Sequence, residues 1–289
     1  MTSNDWAEIF EWSVGKAGVS ITKYLRQDAT SVDVPNEIDG KPVVAIGAKA
    51  FWKRSWLTSV SLPASLQTID EDAFFGCSSL TDVSLPANLQ TIGEDAFRFC
   101  SSLTNVWLPE GLRTIGDGAF AGCSSLTSVA FPESLQTLGE GAFSCCSSLS
   151  SVSFPSGLQT LGYSTFAGCS SLVDVTLPPG LQTLGYAAFN DCSSLTNVSF
   201  PADLRTIKNY AFYDCCSLSS VSLPAKLETI ESYAFYNCKS LSSVTLPSSL
   251  QTIEGKAFGR CRSDLVIYGA ERSVAERFAW ESGIRFEPR

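Results

Sequence analysis

The chain repeats itself every 23 residues, and that period limits what it can fold into more than any other feature. Leucines at positions 57, 80, 103, 126, 149, 172, 195, 218 and 241 open nine successive units, from Leu57 to Ser263, without insertion or deletion. The unit reads L-x-x-V-x-[LF]-P-x-x-L-x-T-[IL]-x-x-x-A-F-x-x-C-x-x, and only Thr165 replaces its alanine. A unit this short cannot bury its own apolar side chains. The stable arrangement stacks the units so that like columns touch, which makes the chain a repeat solenoid.

Each column has a physical reading. Val60 and Leu62 alternate with Ser59 and Ser61, the period-2 signature of a short strand with one buried face. Pro63, and the proline of every later unit to Pro247, ends that strand because proline cannot donate a ladder hydrogen bond. Leu66 and Ile69 turn inward again. The glycines at 93, 116, 139, 162 and 185 are read as allowing a tight bend before a short helical turn that carries Ala73 and Phe74 inward. Parallel pairing at about 4.8 Å per coil extends nine coils over roughly 40 Å. Each interior Phe, from Phe51 to Phe258, contributes about 2–3 kcal/mol of burial.

These columns resemble the leucine-rich repeat class and, within it, the BspA-like subtype, whose units carry an L-x-x-[VI]-x-[LI]-P strand and an I-G-x-x-A-F-x-x-C segment. Residues 91–100, TIGEDAFRFC, match that segment closely, and residues 32–47 resemble the longer first unit. Asp70, Lys208, Glu231 and Glu254 stand where the segment has glycine. The resemblance covers about Phe10 to Phe286. It implies an α/β solenoid with a parallel sheet, short helical turns on the other face and capped ends. It also implies adhesion: a surface or secreted protein that binds host or neighbouring-cell proteins.

One domain, 1–289, is read in three parts: an N-terminal cap with the first irregular unit (1–56), nine repeats (57–263) and a C-terminal cap (264–289). In the first, Phe10–Val14 and Val19–Lys23 predict a hairpin around Gly15 and Gly18. In the last, residues 265–268 read as a strand, Ser273 caps a helix to about Ser282, Gly283 stops it, and residues 284–286 close the stack. Residues 1–10 carry Asp5 and Glu8 and no base, unlike a signal peptide, and no apolar run approaches the roughly 20 residues that span a bilayer.

Composition excludes several chemistries. The chain has 29 acidic and 20 basic residues, a net charge of -9, which disfavours nucleic acid and anionic membrane surfaces. Ten acids and only two bases fall in units one to four, against seven of each in units five to nine, so the acidic section favours a basic partner. With no histidine, Ser-His-Asp and Cys-His nucleophiles and His-containing metal sites are ruled out. No acid–base pair or phosphate loop is visible, so neither catalytic residues, cofactor nor metal is expected.

Nine of the 11 cysteines fall one per unit, Cys77 to Cys261, and read as a ladder of reduced core residues, the alternatives being a metal stack or serial disulfides; Cys145 and Cys216 lie off it and are the more reactive candidates. The threonine column, Thr68 to Thr252, reads as a hydroxyl ladder supporting a turn, the alternative being a water-ordering array. Acids from Asp70 to Glu140 stack on one edge, at the start of the turn, where backbone N–H groups favour carboxylates; a weak calcium site is the alternative.

A repeat scaffold declares its binding surface where outward columns break pattern. Trp107 breaks the outward strand column, with Asp82 and Asn105 expected beside it. Trp52, Trp56, Phe75, Arg98 and Phe99 group near the N-terminal cap beside Lys49, Lys53 and Arg54. Tyr163, Tyr186, Tyr210, Tyr213, Tyr233 and Tyr236 occupy outward turn columns of units five to eight. The favoured function is a non-catalytic protein-interaction module. Its rivals are a carbohydrate binder using Trp107 with Asp82 and Asn105, and a solenoid that self-associates through the tyrosines.

Overall fold

The computed structural model describes residues 3–289; Met1 and Thr2, which the cap reading includes, lie outside the described residues. Contacts gather into two compact units, Met1–Leu149 and Ser150–Arg289.

In the first unit, Phe10–Val14 and Val19–Tyr24 form the expected antiparallel hairpin. Gly15 N–H donates to the Gly18 carbonyl, and a Cβ on Gly18, at φ 152°, would lie 2.4 Å from the Pro42 carbonyl. The second hairpin strand then pairs in parallel with Lys41–Ile46 and starts the stack.

The strand read from the Val column is present. Ser31–Asp33, Ser59–Ser61 and Asp82–Ser84 pair in parallel, like column to like column, with Val60 and Val83 buried and their neighbours exposed. A second parallel ladder was not foreseen. Thr68–Ile69, Thr91–Ile92, Thr114–Ile115 and Thr137–Leu138 join Thr to Thr and Ile to Ile or Leu, continuing from Lys41–Ile46. The threonine column is therefore a strand position rather than a turn support. A β-branched residue beside a buried Ile suits that pleated surface.

The segment around the interior Phe is a chain of hydrogen-bonded turns, where the sequence suggested a helical turn. Asp72, Phe74 and Gly76 N–H groups donate sideways to Glu94, Ala96 and Arg98 of the next coil. Ala73, Phe75 and Cys77 N–H groups donate back to Asp70, Asp72 and Phe74 of their own coil. An α-helix would keep all six donors inside one coil. Left-handed residues on either side of the Phe, Asp72 at φ 56° and Gly76 at φ 69°, turn alternate donors outward. The rings follow the backbone: Phe51, Phe74, Phe97, Phe120 and Phe143 stack at 4.8–5.2 Å, within 13° of parallel. Tyr24 stacks on Phe51 at 5.2 Å and closes that end.

The cysteine rungs are part of the same device. Cys77, Cys100, Cys123 and Cys146 each donate S–H to the Phe carbonyl of the preceding coil, at 3.2 Å. Burial pushes the Cys77 thiol up to about 12. All 11 cysteines are free thiols. The Gly93, Gly116 and Gly139 column has no positive φ; a Cβ there would lie 2.4–2.8 Å from the backbone of the preceding coil. Close approach of coils, rather than a bend, requires these glycines.

The second unit uses the same parts. Thr160–Leu161, Thr183–Leu184, Thr206–Ile207, Thr229–Ile230 and Thr252–Ile253 form its threonine ladder. Its valine strands pair in two groups, Asp174–Thr176 with Asn197–Ser199, and Ser220–Ser222 through Ser243–Thr245 and Val266–Gly269 to Arg285–Pro288. Phe166, Phe189, Phe212, Phe235 and Phe258 stack at 5.1–5.7 Å. Thr165, buried in the alanine column, donates its hydroxyl to the Gly162 carbonyl at 3.2 Å. Where glycine gives way to Glu231 and Glu254, the carboxylates accept the N–H groups of Asn209 and Ser232 in the preceding coil, at 2.9 and 3.0 Å.

The C-terminal cap is the expected strand, helix and strand. The helix Val274–Ser282 starts at Ser273, whose hydroxyl accepts the Glu276 N–H, and stops at the left-handed Gly283. Phe278, buried on its inner face, meets Phe258 edge-on and covers the end of the Phe stack.

Candidate functional site

Because the interior Phe of each coil points inward, the residues two or three before it and one after it are presented outward. Tyr163 and Tyr186 lie three residues before, Tyr210 and Tyr233 two before, and Tyr213 and Tyr236 one after. The rings meet across three columns. Tyr163 stacks on Tyr186 at 5.0 Å, Tyr210 on Tyr233 at 5.0 Å and Tyr213 on Tyr236 at 5.3 Å, all within 8° of parallel. Tilted contacts of 5.2–5.4 Å join the pairs, Tyr186 to Tyr210, Tyr210 to Tyr213 and Tyr233 to Tyr236. All six therefore form one mosaic. Tyr163 and Tyr186 are 51% and 38% exposed and the other four are half-buried.

Tyr210 and Tyr233 hold φ at 61° and 62°, in a column that is left-handed in the first unit too, where Lys49, Asp72, Asp95, Gly118 and Gly141 fill it. A bulky residue in the left-handed region costs about 1–2 kcal/mol, which ring stacking of about 0.5–1.5 kcal/mol offsets.

The mosaic has charged borders. Lys256 lies over the Tyr233 ring at 5.9 Å and Arg260 over the Tyr236 ring at 5.7 Å. Asp191 and Asp214 border Tyr213: Asp191 N–H donates to the Tyr213 carbonyl at 2.8 Å, and Asp214 N–H to the Tyr236 carbonyl at 3.0 Å. Their carboxylates accept amide donors from Asn190 and Asn237. Burial, then the charge of Asp214, raises the Asp191 carboxyl, against the Asn190 hydrogen bond. Burial and the same aspartate raise the Tyr213 hydroxyl. These borders were missed in the sequence, although Asp191, Asp214 and Asn237 share a column with Gly76, Gly122 and Gly168, a visible mark of a left-handed turn.

The first unit carries a smaller aromatic group. Trp52 stacks on Phe75 at 6.5 Å and Phe99 meets Phe75 edge-on at 5.5 Å. Lys53, Arg54 and Arg98 lie over Trp52, Trp56 and Phe99. Arg54 also donates to the Tyr24 carbonyl at 2.7 Å and so ties this group to the cap. The acidic edge is engaged by its neighbours: Lys49 pairs with Glu71 and Asp72, Arg98 with Asp95, and Asp117 accepts the Glu140 N–H. Among the described residues, no group of three Cys, Asp or Glu side chains could hold a metal ion.

Trp107 is 80% exposed and lines a cleft of about 230 Å³ with Asn105, Ser128, Ala130 and Phe131. Asp82, expected beside Trp107, does not line it. Asp82 starts the strand that pairs with Ser59–Ser61, and that ladder ends there, since residues 105–107 form no strand. The cleft opens instead toward the following coil.

A family model described as BspA type leucine rich repeat region matches residues 44–173 and 136–264. Among solved structures, a leucine rich repeat protein from T. pallidum is 37% identical, with a TM-score of 0.62 over 65% of this chain and 89% of that one. A leucine-rich repeat protein from Bacteroides ovatus is 24% identical over 97% and 98%, with a TM-score of 0.56. The pneumococcal vaccine antigen PcpA, at 18% identity over 97% and 99%, has a TM-score of 0.51. No curated protein matches the chain.

Proposed function

Since the chain belongs to the BspA-type leucine-rich repeat family, whose fold suggests a protein-interaction scaffold, we propose that it is a non-catalytic interaction module that contacts its partner through the tyrosine mosaic of Ser150–Arg289. The supporting observation is that six tyrosines stack into one outward surface, two of them at left-handed positions that Lys49, Asp72, Asp95, Gly118 and Gly141 fill in the first unit. Tyrosine offers large apolar area and a polar tip at low entropic cost, as contact surfaces require. The adhesive role implied by the family resemblance is one instance of this reading. No helix is long and apolar enough to cross a membrane among the described residues.

The test is capture of a binding partner by the intact protein and by a Tyr213→Ser, Tyr236→Ser variant. Loss of the partner with retained fold is expected; undiminished capture by the variant sinks the proposal.

A second reading has its own observation, the exposed Trp107 over a cleft with Asn105 and Ser128. An exposed indole beside polar groups suits stacking against a sugar ring. A glycan array would register Trp107-dependent binding on this reading and none on the first. Self-association through the tyrosines is the third reading, and sedimentation of a concentrated sample tests it.

A further inference from the structure

The interaction reading leaves the chemistry of the partner open, and the borders of the mosaic narrow it. The last coil supplies a guide within the chain itself. Lys256 continues the column of Tyr210 and Tyr233, and Arg260 continues the column of Asp191, Asp214 and Asn237. Both cations lie over the tyrosine rings of the preceding coil, so these ring faces already receive an ammonium and a guanidinium. Two and three coils away the same columns hold no cation. Asp191 and Asp214 stand one coil apart beside Tyr213, and no Lys or Arg forms an ion pair with either among the described residues. Two neighbouring carboxylates repel, and a planar cation between them would relieve that repulsion.

We propose that the mosaic receives arginine side chains of a partner protein, the guanidinium lying on the Tyr213 ring and donating to Asp191 and Asp214. The inference rests on the interaction reading and specifies its partner. Arginine fits better than lysine because its flat fork stacks on an aromatic face while presenting several N–H groups to carboxylates. A phosphate-bearing partner does not fit, since the same carboxylates repel it.

The test is fluorescence anisotropy of a labelled nine-residue peptide of alternating Gly and Arg, with Gly/Lys and Gly/Glu peptides in parallel. The Gly/Arg peptide should bind most tightly, and Asp191→Asn with Asp214→Asn should weaken it by about tenfold. The Trp107→Ser protein should bind it as the parent does. Equal affinity for the Arg and Lys peptides, or a change under about twofold in the double Asn variant, overturns the inference. Should that variant fail to fold, Arg260→Ala decides: freeing the Tyr236 face should hold or raise peptide affinity, and a loss refutes cation binding by the mosaic. A protein that self-associates in sedimentation and ignores the peptide also overturns it, in favour of a second copy as occupant. If the peptide fails while Tyr213→Ser, Tyr236→Ser still abolishes partner capture, the interaction reading stands and only the arginine specificity falls.

Discussion

The two compact units are each built on the same interior columns and carry different exteriors. In both, Phe rings stack about 5 Å apart, threonine strands pair in register and cysteine thiols donate to Phe carbonyls. Outside they diverge. Met1–Leu149 has 17 acidic and 9 basic residues, net -8, whereas Ser150–Arg289 has 12 and 11, net -1. The first carries Trp52, Phe75 and Phe99 tied to the cap through basic side chains, the second a continuous row of six tyrosines. Interior columns repeat because every coil presses on its neighbour, and outward columns are released from that constraint. Difference between coils therefore marks where function can reside.

The largest test of the shared interior is alkaline pH. Cys77 loses its proton near 9.0 when unfolded but only near about 12 in the folded chain, because burial disfavours the thiolate. Between those values the folded state holds more protons than the unfolded one, so stability must fall as pH rises through the window. The buried rungs Cys100, Cys123, Cys146, Cys215 and Cys238 shift in the same direction. Hydrogen exchange at successive pH values should show protection falling in both units; a flat profile from pH 9 to 11 would refute the role given to the ladder.

Next in size are single core deletions. Phe120→Ala and Phe212→Ala should each cost about 3–5 kcal/mol in denaturant unfolding. Phe212 stacks at 5.7 and 5.2 Å and Phe120 at 5.2 and 5.1 Å, so the Phe120 loss should be the larger. The reverse order would show that ring spacing does not control the cost.

A smaller contrast concerns reagent access. Cys145, exposed and left-handed in the first unit, should be the first thiol alkylated. Cys216 and Cys261 in the second are partly covered and should follow, with the eight buried rungs reacting only after unfolding. Mass spectrometry of a timed alkylation reads the order, and early labelling of Cys123 would contradict the packing. Least of all, Arg98→Ala removes a partly exposed pair with Asp95 and should change stability by under about 1 kcal/mol.

Much of this was legible in the residues. The hairpin, the Val strand, the Ser273 cap, the Gly283 stop and the inward Phe column all follow from local chemistry that each coil repeats. The threonine ladder was not legible, because a Thr-Ile pair is too short to show alternation and declares itself only by bonding to the same pair 23 residues away. The glycine column was misread for the same reason: its cause is the backbone of another coil. At the site, the six tyrosines were visible as outward residues, but their union into one surface and the placing of Asp191 and Asp214 beside Tyr213 were not. That residues 105–107 form no strand to pair with the one Asp82 begins, and that the Trp107 cleft is lined without Asp82, was not legible either.

By itself the sequence determined the period, the register and the identity of every interior column, since a repeat with no insertions leaves one way to superpose like on like. The tertiary structure alone decided how the coils are joined. Alternate N–H groups turn sideways through left-handed residues, and thiols satisfy carbonyls one coil away. It also decided which outward side chains touch, because neighbours on a stacked surface lie 23 residues apart and their distance depends on how closely the backbones approach.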